Sequence, residues 1–328
     1  MIRPFVLFAL FTAALVASPL APGADPVGRV VRIGFVSPES PTTDIRAIGA
    51  FWRRLRELGW VEGQNLMAER RWVEGRYDRL PGIMADLLER GVDVIVAGGT
   101  PAVVSAARAS KTVPIVSMGM GDPVGNGLAV SLARPEGNMT GLSLLYEEGL
   151  PGKLLGLLQE TVPGLSDVAV MSNPDSPLSR LWEKQLLTAA SAMGVKLRFV
   201  HVRQQEELGR AMQRARQQAH ALMVVPDPLT TNHRREIVTL AAKHRLPGVY
   251  VMRDFVDDGG LIAYGVAMAP VLQRAAEYVD KILKGAKPGD LPIEQPTRFE
   301  LVVNLKTAKA LDITIPQSIL LQADEVIR

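Results

Sequence analysis

Val92–Gly127 reads VDVIVAGGTPAVVSAARASKTVPIVSMGMGDPVGNG and contains two strand-to-helix turns in succession. Asp93–Ala97 (DVIVA) is short, apolar and rich in β-branched residues, the pattern of a strand buried on both faces. It ends in Gly98-Gly99-Thr100-Pro101, where the glycines allow a tight turn, Thr100 is placed as an N-cap and Pro101 suits the first helical position. The motif recurs with Pro114–Met118 (PIVSM) as the strand, Gly119–Gly121 as the turn and Asp122-Pro123 as a second N-cap and N1 pair. Two helix N-termini then open on one rim of a parallel sheet, where unpaired N–H groups and positive dipole ends favour an anion. Ligands of open α/β sheets bind at that carboxyl edge. The same residues would also serve two ordinary βα turns with nothing bound.

The rest of the chain extends this rhythm. Val30–Val36 is read as a strand, followed by a polar loop, Ser37-Pro38-Glu39-Ser40, and a helix over Asp44–Leu58 closed by Gly59. Asn65–Trp72 is a second strand and Tyr77–Arg90 a second helix. After the strand that begins at Asn138, a helix over Leu150–Glu160 leads into a new series: strands at Val168–Ser172, Leu197–Val202, Ala221–Val225 and Gly248–Val251 alternate with helices over Leu178–Met193, Glu206–Gln217 and Asn232–His244. Leu261–Gly265 is a strand end and Pro270–Lys284 a helix. The stretch LPIEQPTRFELVVNL is expected to form paired strands around Pro296, before a short helix near Lys306–Ala310 and an extended tail. Short connections between alternating strands and helices mean parallel sheets with helices on both faces. The fold class expected is α/β, two doubly wound parallel-sheet lobes with an interlobe cleft and a multi-strand hinge. Lobe 1 is assigned residues 30–144 and 265–290, lobe 2 residues 145–264 and 291–328, with hinge segments near Ser143–Glu147 and Tyr264–Ala267.

Length and composition agree with two lobes. A chain of 328 residues exceeds what one core usually fills, and 47% hydrophobic against 5% aromatic residues supplies a large aliphatic core. Lys and Arg total 37 against 34 acids, an excess too small and too scattered for nucleic-acid binding. Cysteine is absent, which excludes disulfides, thiolate metal sites, a cysteine nucleophile and a lipoprotein anchor. The four histidines, His201, His220, His233 and His244, show no ligand-like spacing, and no metal or cofactor is expected. Met1–Ala24 places a single Arg3 before the uncharged run Phe5–Ala17, too short for a membrane span and followed by small residues and prolines. It is read as a cleavable signal peptide.

Catalytic patterns are missing. There is no GxxxxGK[ST] loop and no G-x-S-x-G elbow, and Gly119-Met120-Gly121 lacks the third glycine of a dinucleotide fingerprint. Asp257-Asp258 precedes Gly259-Gly260 and reads as a turn.

Several words of the sequence carry a resemblance: RIGFVSP, FWRRLRELGWVEGQNL, ERRWVEGRYDRLP, the GGTPA turn, VPIVSMGMGDPVGNGLAVSLARPEGNMTG and PTRFELVVNLKTAKALDITIP. From about Val31 onward the chain resembles the ABC transporter substrate-binding proteins of the tryptophan/tyrosine-type group, a branch of the type I periplasmic binding proteins. The resemblance implies a Venus-flytrap receptor that carries a small ligand, an amino acid or related carboxylate, to an ABC permease in the inner membrane. Without an anchoring cysteine, the expectation is a free periplasmic protein, monomeric and with no nucleic-acid partner. By the carboxyl-edge logic, Ser37, Pro38, Gly99, Thr100, Pro101 and Asp122 are the candidate ligand contacts of lobe 1. Asn173, Asp227 and Tyr250 are those of lobe 2, with Asp227 meeting an ammonium and Tyr250 supplying an aromatic wall. A secreted hydrolase or transferase using the same cleft is the second reading; a receptor would shift its melting temperature with a metabolite without consuming it.

Overall fold

Alternation of short β-branched runs with helix-forming stretches gives two separate parallel sheets. The structure, a computed structural model, describes residues 29–41, 43, 46–144 and 149–328. The expected signal peptide lies outside the described residues, as do Asp44 and Ile45 of the first expected helix and residues 145–147 of the first expected hinge segment.

The first half runs β1 (Val31–Ser37), α1 (Arg46–Glu57), β2 (Leu66–Trp72), α2 (Leu80–Glu89), β3 (Val94–Ala97), α3 (Thr100–Ala109), β4 (Ile115–Met120) and β5 (Met139–Ser143). The second half begins with α4 (Leu150–Thr161), β6 (Asp167–Ser172), α5 (Pro177–Met193), β7 (Lys196–His201), α6 (Leu208–Gln218), β8 (Ala221–Val224), α7 (Pro228–Asn232) and α8 (Arg234–Lys243). It continues through β9 (Gly248–Tyr250), α9 (Arg253–Asp257), β10 (Ile262–Val266) and α10 (Met268–Leu283). The last elements are β11 (Ile293–Glu294), β12 (Phe299–Asn304), α11 (Leu305–Ala310), α12 (Gln317–Gln322) and β13 (Glu325–Ile327).

Lobe 1 holds a six-stranded sheet in the order β2-β1-β3-β4-β5-β11, all of its pairs parallel. Lobe 2 holds a seven-stranded sheet in the order β7-β6-β8-β9-β10-β12-β13, parallel except where β12 runs against β10. Central strands are predominantly apolar, and β3 and β4 are buried along their whole length. Edge strands differ. β2 carries Glu69, Arg70 and Arg71 and stays half-exposed, and β7 alternates exposed and partly buried residues. Charged edges of this kind discourage pairing with another chain.

Each sheet is covered on both faces. In lobe 1, α1 and α10 pack one face around Ile33, Phe35, Val94 and Val116, while α2 and α3 pack the other around Ile95, Ala97 and Ile115. In lobe 2, α4 and α5 cover Val168, Val170 and Met223, and α6 and α8 cover Ala169, Met171 and Leu222. Among the described residues no helix is long and apolar enough to cross a membrane.

The C-terminal region departs from expectation. β11 pairs with β5 in lobe 1, whereas β12 pairs with β10 in lobe 2, so the strands flanking Pro296 do not pair with each other. Pro296 lies on a crossing between lobes, and residues 291–294 go with lobe 1 rather than lobe 2. The expected extended tail instead contains α12 and the edge strand β13. Three stretches therefore join the lobes: after β5, from β10 to α10, and from β11 to β12. The second and third run side by side, with the Ala267 N–H donating to the Arg298 carbonyl at 3.0 Å.

Gly141 fixes the strand that feeds the first crossing. Its φ is +119°, and a Cβ there would sit 2.4 Å from the Ser117 carbonyl oxygen and 2.6 Å from the Ser117 nitrogen. Neither a flexible side chain nor a rotamer change can relieve contact with backbone. Gly141→Ala should lower unfolding free energy by about 3 kcal/mol, the sum expected for a strained φ and an overpacked site. Urea denaturation checks this, and a loss below about 1 kcal/mol would mean that β4 and β5 part easily.

Candidate functional site

Both lobes share one strand order. In lobe 1 the sequence of neighbours is β2-β1-β3-β4-β5, and in lobe 2 it is β7-β6-β8-β9-β10. In each, the chain winds to one side from the first strand and then to the other. A crevice opens at the carboxyl ends where the direction reverses, and ligands of such sheets bind there. For lobe 1 this crevice lies between the loops after β1 and β3, and for lobe 2 between the loops after β6 and β8. Ser37, Pro38, Gly99 and Thr100 flank the first crevice, and Asn173 and Asp227 flank the second.

In lobe 1 the two flanking loops touch. Gly98 is glycine because Pro38 leans on it: a Cβ there would be 3.1 Å from Pro38 Cδ. The Gly98 N–H donates to the Val36 carbonyl (2.9 Å) and the Gly99 N–H to the Gly119 carbonyl (3.1 Å). Gly99, at φ +78°, takes the N-cap position of α3, so Thr100 is the first helical residue and not the cap. Only a residue tolerant of positive φ can make this turn, and that moves the helix start one residue earlier. The Thr100 hydroxyl accepts from the Gly121 N–H at 2.9 Å and retains its own proton to donate. Pro101 is exposed and has no N–H, which leaves Thr100 and Ala102 as the backbone donors of this helix start.

No helix follows β4. Asp122 instead closes a turn, accepting from the Gly125 N–H at 2.8 Å, while Asn126 donates to its carbonyl through both its N–H (3.1 Å) and its side chain (2.7 Å). Gly125, Asn126 and Gly127 lie where the helix would have to continue, and each glycine costs a helix about 1 kcal/mol. The expected pair of adjacent helix N-termini is thus one helix N-terminus and one capped turn.

In lobe 2, Asn173 and Asp227 meet across the crevice, Asn173 Nδ2 donating to Asp227 Oδ1 at 3.2 Å. Asp227 also caps α7 in a capping box: its carboxylate accepts from the Leu229 N–H at 2.9 Å, and Thr230 Oγ1 accepts from the Asp227 N–H at 3.2 Å. Burial pushes the Asp227 carboxyl above its ordinary range, against hydrogen bonds from Leu229, Asn173 and Ser176 that favour the charged form. Tyr250 is not at the rim. It is 1% exposed, stacked on Phe255 with ring centroids 4.6 Å apart, and its ring fills the space over Gly248 and Gly260. Strand alternation sends Val249 to one core and Tyr250 to the other, so no aromatic wall comes from this residue.

Several cleft residues carry no signal in the one-dimensional pattern because short elements place them. Asn232, the last residue of α7, accepts from the Ser40 N–H at 3.1 Å and from Thr43 Oγ1 at 2.9 Å, both in the loop after β1. At the start of α1 the Arg46 N–H donates to Asp254 Oδ1 (3.4 Å), and its guanidinium lies 3.6 Å from Asp257. Ser37, buried at the end of β1, donates its hydroxyl to the Glu39 carboxylate. Burial raises the Glu39 carboxyl, Ser37 pulls it back, and the negative field of Asp254 from the other lobe adds to the rise. Asp254 is raised too, first by burial, with Arg234 opposing. Tyr77, on the loop after β2, feels Asp227 and Glu39; desolvation comes first and these fields second in pushing its phenol upward. The lobes therefore meet through the loops after β1 and β2 on one side and α7 and α9 on the other. Among the described residues no three His, Asp or Glu side chains form a metal-binding group.

The family model for ABC transporter substrate binding proteins matches residues 36–327, nearly the whole chain of 328. The chain belongs to that family. Its two lobes have the type I periplasmic binding protein fold. It is similar to a tyrosine-binding protein of Clostridioides difficile, 24% identical over 275 residues that make up 84% of this chain and 79% of the relative. In structure it is similar to a conserved domain protein from Vibrio cholerae, with a TM-score of 0.79 and 24% identity over 91% of this chain and 100% of the other. It is also similar to a Streptococcus pneumonia ABC domain in complex with L-Trp, with a TM-score of 0.77 and 22% identity over 90% and 99% of the two chains.

Two variants probe this substrate-binding protein. Asn232→Ala removes the shared acceptor of two interlobe hydrogen bonds, each contributing about 0.5–1.5 kcal/mol. Its ligand-free radius of gyration by small-angle scattering should rise while its melting temperature barely moves; an unchanged radius would show that the lobes are held elsewhere. Glu39→Gln addresses charge. A carboxyl raised on folding is neutral below its folded pKa and costs stability once ionised above it. The variant should therefore melt higher than wild type at neutral pH, with the gain fading as pH falls to 4 and Glu39 protonates. A gain that is the same at both pH values contradicts this origin.

Proposed function

We propose that this substrate-binding protein is an extracytoplasmic receptor of an ABC importer, holding an α-amino acid or a related small carboxylate in the cleft between its lobes and passing it to an inner-membrane permease. The observation that carries this reading is the opposition of charge across the two crevices. Lobe 1 offers the positive end of α3 with the Thr100 hydroxyl. Lobe 2 offers Asp227, partly buried and hydrogen-bonded to Asn173. A zwitterion matches both: its carboxylate takes the Thr100 and Ala102 N–H groups and the Thr100 hydroxyl, and its ammonium takes Asp227 once both leave water. The names of two similar proteins, one tyrosine-binding and one in complex with L-Trp, support an amino acid as the class.

Ligand and lobes then act together. Contacts from both walls favour the closed arrangement, and closure takes place by rotation about the crossings between lobes. A leader read at Met1–Ala24 provides for export.

Thr100→Val removes a donor to the ligand carboxylate and also leaves the Gly121 N–H without its acceptor, so it should lower both affinity and stability. Thr100→Ser keeps the hydroxyl and should restore both. One lost hydrogen bond to a charged group weakens binding roughly tenfold to a hundredfold. Asp227→Asn should weaken an α-amino acid strongly and its deaminated analogue little, as read by calorimetry. Equal losses for the two ligands would remove Asp227 from the ammonium site, and wild-type affinity in Thr100→Val would remove the carboxylate from α3.

A further inference from the structure

The lobes meet along a seam with an acid on each side. Glu39 belongs to the loop after β1, and the adjacent Ser40 N–H donates to Asn232, the last residue of α7, at 3.1 Å. Next to Asn232, the Thr231 hydroxyl reaches the sulfur of Met252 at 3.6 Å, one residue before α9. Two residues further along, Asp254 is buried and accepts from the Arg46 N–H of α1 at 3.4 Å. This path brings the Glu39 carboxylate of lobe 1 within the field of the Asp254 carboxylate of lobe 2. Only contacts that cross the seam change when the lobes part. Around Glu39, the Ser37 hydroxyl and the Tyr77 phenol belong to its own lobe and stay with it. The groups of lobe 2 that face this loop are acids, Asp254 directly and Asp227 beyond Tyr77. Around Asp254, Arg234 of α8 and Asp257 of α9 share its lobe, as does Glu300 of β12, which pairs with Arg253 at 3.1 Å.

Two attractions cross the seam here. One is the long Arg46 N–H bond, and the other is the Arg46–Asp257 pair at 3.6 Å, which is exposed and screened by water. Against them stand the dehydration of two carboxylates and their mutual repulsion. Burial is the largest influence on both, and it raises both. A carboxyl that holds its proton more tightly in one arrangement draws the molecule toward that arrangement as pH falls. We propose that Glu39 and Asp254 form a proton-operated gate across the seam, drawing the lobes together as pH falls through the carboxylate range and letting them part toward neutral pH. The gate acts on the ligand-free protein and does not depend on how the ligand is read.

Small-angle scattering of the ligand-free full chain tests the gate at about pH 7.5 and at about pH 4.5, the lower value lying near the ordinary carboxylate range. The wild-type radius of gyration should be smaller in acid. Acid unfolding would enlarge the molecule, so it cannot imitate this contraction. Glu39→Gln and Asp254→Asn each keep the shape of the side chain and remove one charge. Each variant should be more compact than wild type at neutral pH and should lose most of the response to pH. Combining the two should add little to either, because one missing charge already ends the repulsion. Should one variant fail to fold, the other reads the gate from the opposite lobe. Asp312→Asn, which removes an exposed carboxylate of lobe 2, should respond as wild type does. A wild-type radius that is unchanged or larger in acid overturns the proposal. So does a contraction that survives in a folded Glu39→Gln or Asp254→Asn chain, or one that Asp312→Asn abolishes.

Discussion

The packing of α10 against α1 is the contact on which the two-lobed arrangement depends. One face of the lobe 1 sheet presents Ile33, Phe35, Val94 and Val116, and α1 covers only part of it. Val271, Leu272, Ala275, Ala276 and Val279 of α10 complete the cover. Burying side chains of the Val and Leu type contributes roughly 1.5–3 kcal/mol each, so lobe 1 without its returning helix would lack much of its core. Polar contacts set the register of that packing. Trp60 Nε1 donates to Asp280 at 2.9 Å, Arg54 pairs with Glu277 at 2.8 Å, and the Tyr278 hydroxyl reaches the Pro292 carbonyl at 2.6 Å, just before β11. Because the chain has to return to lobe 1 for α10 and then ends in lobe 2, it crosses between the lobes three times. The multi-strand hinge follows from completion of a core.

Most of that architecture is legible in the sequence, because it depends on periodicity. DVIVA and VAVMS can bury both faces only inside a parallel sheet, and the amphipathic spacing of Val271, Leu272, Ala275 and Val279 marks α10 directly. Three similar signals at helix starts had three outcomes. Thr100-Pro101 does open a helix, but Gly99 displaces Thr100 from the cap. Asp227-Pro228 opens α7 with a full capping box. Asp122-Pro123 opens nothing, since Gly125 and Gly127 follow it. Cap chemistry marks a place where a helix can begin, and the residues of the next two turns decide whether it does.

The cleft was harder to read for a related reason. Asn232, Asp254 and Asp257 are placed by α7 and α9, five-residue helices too short to show a period. Glu39 lies in a loop, and only the approach of Asp254 from the other lobe gives its position meaning. Tyr250 misleads in the opposite direction. It stands at the carboxyl end of a strand, where rim residues are sought, but side-chain alternation on a strand buried on both faces turns it into the core. Position along a strand is visible in sequence, whereas the face a side chain takes depends on register against neighbours not yet known.

The rung from the Ala267 N–H to the Arg298 carbonyl has a mechanical meaning. Two chains joined by a rung behave as a narrow ribbon, soft to bending across its flat face and stiff to sliding of one edge past the other. Set between the lobes, such a ribbon permits them to swing but resists relative shear. The direction of any swing is then fixed by main-chain geometry and not by side chains between the lobes, so exchanging those side chains leaves that direction unchanged.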